Sequence, residues 1–108
     1  MFLGRLLLLL LCAAGCAAQS PPRGSQTVRG VLLEVQSPGI QQLERFTLRT
    51  DAGREMVFVA APDFNAGASH VMTPGHMRQH MALADPVVVT YRDENGTFVA
   101  LSATDATN

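Results

Sequence analysis

The chain has 108 residues, a formal net charge of −1, no lysine, no tryptophan and one tyrosine, Tyr91. A chain this short and this close to neutral has room for one small domain and lacks the basic footprint of a nucleic-acid binder. Its two cysteines, Cys12 and Cys16, both fall near the N-terminus, so the remainder forms no disulfide and depends on packing for stability.

Residues 2–18 have the order of an export signal. One charge, Arg5, precedes the leucine run Leu6 to Leu11, and small residues follow. The apolar stretch from Leu6 to Ala18 is about 13 residues, short of the roughly 20 that a spanning helix needs. The segment is therefore expected to be removed. Ala13-Ala14-Gly15-Cys16 resembles a bacterial lipobox, departing from it at Ala13, where the pattern usually has leucine. The resemblance implies acylation of Cys16, a bacterial source and an anchor in the cell envelope. An ordinary signal cut after Ala18 is the alternative. From Cys16 onward seven arginines face nine acids, a formal charge of −2.

The expected organisation is a signal over 1–15, a flexible tether over 16–26, a domain over 27–104 and a frayed tail over 105–108. The tether is rich in Pro, Gly and Ser. Thr27 to Gln36 alternates as a strand with Val31, Leu33 and Val35 on one face, and Gly30 marks a bend or bulge. Leu43 to Thr50 is a second strand, with Phe46 and Leu48 facing in and Arg45, Thr47 and Arg49 facing out. Gly53 supplies a positive φ in the next turn, and Arg54 to Ala60 returns with Met56 and Phe58 inward.

Ala61 to Met72 reads as a loop. Thr73-Pro74 then starts a helix through Ala84, with Thr73 as N-cap and Met77, Met81 and Ala84 on one stripe. Pro86 to Arg92 and Thr97 to Ala103 are the last two strands, joined at Asp93-Glu94-Asn95-Gly96. Three strands, one helix and two strands is the order of a mostly β, five-stranded OB-like barrel with its short helix between strands three and four.

The run Gly30-x-Leu32, Phe46-Thr-Leu-Arg-Thr-Asp-Ala-Gly53, Pro86-Val-x-Val-Thr-Tyr91 and Gly96-x-x-x-Ala100 resembles the small exported OB-like domains of bacteria. That resemblance implies fold and location and brings no established activity.

All three histidines and three of the methionines lie between His70 and Met81. His76 and His80 share one helix face. With His70 and Met72 they form a candidate Cu(I) site, thioether being a soft ligand. In fold class and ligand type this is similar to periplasmic copper chaperones of the CusF kind. In that family, however, the ligands sit on barrel strands beside a tryptophan. The plainer expectation is that Met77 and Met81 plug the open end of the barrel while the histidines ride the same helix partly exposed.

His-Glu-x-x-His, Gly-x-Ser-x-Gly and phosphate-loop patterns are all missing. Arg45, Thr47 and Arg49 form a small basic stripe, in the plainer expectation a solvated sheet face and otherwise a surface for a small anionic ligand or an envelope protein. The chain is thus expected to be a lipid-anchored binding or scaffold module of the bacterial envelope. It carries no catalytic site and no cofactor in this reading, with copper handling as the alternative.

Overall fold

The computed structural model describes residues 24–40, 42–66 and 72–106. Cys16, with the whole signal, and His70 lie outside the described residues. The elements are β1 (Ser25–Gln36), β2 (Arg45–Thr50), β3 (Glu55–Ala60), α1 (Pro74–Leu83), β4 (Val87–Glu94) and β5 (Thr97–Asp105). The strands close into a barrel in the order β1-β2-β3-β5-β4, with only the β3–β5 pair parallel. This is the expected five-stranded OB-like barrel, with its one short helix between the third and fourth strands.

Long β1 makes the closure possible. Its first half, Ser25 to Gly30, pairs with β4, and its second half, Gly30 to Gln36, pairs with β2. Gly30 belongs to both ladders and is where the strand turns the corner. A Cβ there would stand 2.2 Å from the Arg49 carbonyl oxygen, so only glycine allows β2 to come so close. β1 begins two residues before the expected start of the domain, because Ser25 and Gln26 pair with Arg92 and Tyr91.

The expected inner face of β1 holds only in part. A bulge between Leu32 and Glu34 interrupts the alternation, burying Leu32 and Val35 and leaving Leu33 exposed. Beyond the bulge the pattern is regular. Phe46, Leu48, Phe58 and Val89 are all at most 1% exposed, as their alternation requires. The Phe58 ring packs 5.2 Å from those of both Phe46 and Tyr91, centroid to centroid. Gly53 takes the positive φ expected of it.

α1 closes one end of the barrel. Thr73 caps it, its hydroxyl accepting from the His76 amide at 3.1 Å, and Pro74 occupies the first turn, where no N–H is needed. Met77 is fully buried in the core and Met81 packs against it, the arrangement that methionine at helical spacing leads one to expect. Ala84, expected on the same stripe, is instead the exposed C-cap in left-handed conformation.

Candidate metal centre

Helical periodicity puts His76 and His80 one turn apart, and their Nε2 atoms stand 3.2 Å from each other. A third group joins them from far along the chain. Asp105 Oδ1 lies 2.7 Å from His80 Nε2 and 3.5 Å from His76 Nε2. Sequence reading left Asp105 in a frayed tail; the structure places it as the last residue of β5, opposite Val87.

Two local features bring Asp105 there. The first is a short linker. Only Ala84, Asp85 and Pro86 separate α1 from β4, so the end of the helix, the start of β4 and the end of β5 are adjacent. The Asp85 amide donates to the His80 carbonyl at 2.9 Å, and the Ala106 amide donates to the Pro86 carbonyl at 3.2 Å. The second is a bulge in β5. Counting outward from the Asn95-Gly96 turn, an unbroken hairpin would pair Val87 with Thr104. Instead Thr90 pairs with Ser102 and Tyr91 with Ala100, leaving Leu101 without a partner residue on β4 and moving Asp105 opposite Val87. Residues directly opposite share a sheet face, so Asp105 projects from the inner side, whose end α1 covers.

Asn65 holds that bulge. Its amide donates to the Leu101 carbonyl at 2.8 Å, and its side-chain Oδ1 accepts from the Ala103 amide at 2.8 Å. Because the partner is an N–H, the carboxamide orientation is determined, and Nδ2 is left buried without a partner among the described residues.

The chemistry of the cluster follows from its donors. His80 Nδ1 lies 3.3 Å from the Asp85 carbonyl oxygen, an acceptor, so Nδ1 carries hydrogen and Nε2 is the atom turned toward His76 and Asp105. Nε2 and a carboxylate oxygen at 2.7 Å cannot face each other as bare lone pairs; a proton or a cation has to stand between them. Bonds of about 2.0–2.1 Å at tetrahedral angles space donors about 3.3 Å apart, close to the two longer separations here. The shortest needs to open by about half an ångström.

The field also favours a cation. His80 sits in the last turn of α1, where the helix dipole gives a partial negative charge, and Asp105 adds a full one. Arg78, the arginine on the same helix, is drawn away to Ser37 Oγ at 3.0 Å. The His80 side chain is 12% exposed, against 43% for His76 and 51% for Asp105, so one donor is set in protein and two face water.

The remaining expected site residues fall elsewhere. Met72 is a buried member of the core. It also lines a cleft of about 480 Å³ with Leu43, Val59, Phe64 and Pro74, and neither the two histidines nor Asp105 reaches this cleft. Freeing a core methionine to serve as a ligand would forfeit about 2–5 kcal/mol of packing, the cost of truncating one. Arg45, Thr47 and Arg49 do lie on the outer face of β2. Glu55 stands opposite Arg49 in register, so the stripe is not uniformly positive. Asp105, the candidate ligand that sequence reading missed, had a faint signal in the sequence. An acid at the end of the last strand belongs near the residue that follows the helix, but the bulge decides whether it faces in.

No protein-family model matches this chain, and no curated protein matches it significantly. Solved structures do. The Ag(I) form of CusF is similar at 13% identity, covering 76% of this chain and 97% of that one, with a TM-score of 0.51. A Cu(II) structure of a tryptophan-to-alanine CusF variant from Escherichia coli is also 13% identical, covering 83% and 100%, again with a TM-score of 0.51. The likeness is one of fold. Among the described residues no helix is long and apolar enough to cross a membrane.

Proposed function

We propose that this chain is an exported, lipid-anchored binding module of the bacterial envelope, not an enzyme, that takes up a metal ion at His76, His80 and Asp105. The observation that carries the reading is the convergence of two imidazole nitrogens and a carboxylate oxygen from a helix and a distant strand end. Metal sites have this composition, and a backbone carbonyl on the second nitrogen of a histidine is a common way of orienting one. The Ag(I) and Cu(II) named for the two CusF structures make metal a natural cargo for such a barrel. Export and anchoring are supported by the leucine run and the lipobox-like Ala13 to Cys16.

Equilibrium dialysis of the detergent-solubilised protein against a mixture of Cu(II), Zn(II), Ni(II) and Ag(I) tests the site. One ion per chain is expected, lost in His76→Ala/His80→Ala. Equal uptake by that folded double variant refutes the reading. For the anchor, Cys16→Ser should give an unprocessed or soluble form without lipid mass. Native protein beginning at Gln19 would refute acylation.

A further inference from the structure

We propose that Asp105 makes this a site for borderline divalent ions, Cu(II) foremost and Zn(II) after it, in place of the Cu(I) that a histidine-methionine cluster suggests. The inference rests on the metal site proposed above and names its cargo. Three observations carry it.

The first is the donor set. Two imidazoles and one carboxylate are intermediate to hard ligands, which suit Cu(II), Ni(II) and Zn(II); Cu(I) selects thioether and thiolate. Two nitrogen donors among three also disfavour Mg(II) and Ca(II), which take oxygen. The Irving–Williams order then puts Cu(II) ahead of Ni(II) and Zn(II) at one site.

The second is where the sulfur went. Met56, Met72 and Met77 are buried in the core, and Met81 packs against it. Among the described residues three methionines are thus buried and the fourth, Met81, is partly buried against them, so a thioether ligand would have to be drawn out of core packing. The same short sequence segment that looks like a soft-metal motif is divided by the fold, with the methionines inward and His76 toward water.

The third is charge and access. Asp105 and His76 are about half exposed, so water reaches the cluster and can fill the ion's further positions, as four- or five-coordinate divalent ions require. The carboxylate supplies a full negative charge, which stabilises a doubly charged ion more than a singly charged one.

The test uses the full exported protein in detergent, stripped with a chelator. Affinities for Cu(II) and Zn(II) are measured by chelator competition, and for Cu(I) likewise under anaerobic conditions. Expected are one-to-one binding with Cu(II) tighter than Zn(II), and at least a tenfold loss for both in Asp105→Asn, with Cu(I) changed less than threefold. Electron paramagnetic resonance of the Cu(II)-loaded wild-type protein should show coupling to imidazole nitrogen, reduced in His76→Gln; this readout does not depend on how Asp105→Asn folds. Divalent binding indifferent to Asp105→Asn, or Cu(I) bound more tightly than Cu(II), overturns the inference while leaving the metal-binding reading intact. No saturable uptake of any of the three ions by folded protein overturns both.

Discussion

Replacing Asn65 by alanine should weaken the fold and the proposed metal centre together, because one side chain holds the bulge that sets Asp105 in place. Three contributions decide the size. The Ala103 amide, in a residue only 1% exposed, loses its acceptor at 2.8 Å, and a buried donor left unpaired costs about 1–3 kcal/mol. Asn65 has φ 63°, a region that asparagine visits readily and in which other L-residues lose about 1–2 kcal/mol. Against these, the substitution also removes the buried Nδ2, which has no partner among the described residues, recovering part of its desolvation cost. The net is about 1–3 kcal/mol of destabilisation, which for a domain of this size lowers the melting temperature by about 4–8 °C per kcal/mol. Asn65→Gly separates the causes. It relieves the backbone strain without restoring the acceptor, so the difference between Gly and Ala reports strain and the remainder reports the hydrogen bond. Urea unfolding followed by far-UV circular dichroism gives the stability, and amide exchange at Ala103 gives the local opening. Zn(II) affinity should fall with the opening of the bulge, since Asp105 lies two residues beyond Ala103. Unchanged stability together with unchanged exchange at Ala103 would show that the bulge holds itself and that the reasoning is wrong.

Gly30→Ala should destabilise by about 1–3 kcal/mol or more in thermal melts, because its methyl meets the Arg49 carbonyl oxygen at 2.2 Å and backbone must move; a stabilised variant would mean that β1 and β2 are not so close. Phe58→Ala should cost about 3–5 kcal/mol, a large share of the roughly 5–15 kcal/mol that holds a domain together, and unchanged melting would mean the strand register is wrong. Thr73→Ala removes the cap on the His76 amide and should cost about 0.5–2 kcal/mol in urea unfolding, with Thr73→Ser restoring most of it.

Much of this protein was legible in the chain itself, where the physics is local. Period-two alternation put Phe46, Leu48 and Phe58 inside, because successive side chains of a strand point to opposite faces. Thr73-Pro74 started the helix where a capping hydroxyl and a missing N–H cost nothing, and the four-residue spacing paired His76 with His80. The order of elements was enough for the barrel. Tertiary structure decided what depends on register. The bulge at Leu33 reversed the inner face of half of β1, and the bulge at Leu101 chose Asp105 over Thr104 as the residue facing the helix. A bulge is one extra residue whose cost is set by partners distant in sequence, here Asn65 taking the Leu101 carbonyl and the Ala103 amide. The same holds for Met72: its chemistry permits metal binding, and the core it packs into withdraws it. Which residue can serve as a ligand was written in the sequence; which one stands beside the histidines was settled by the pairing of β5 with β4.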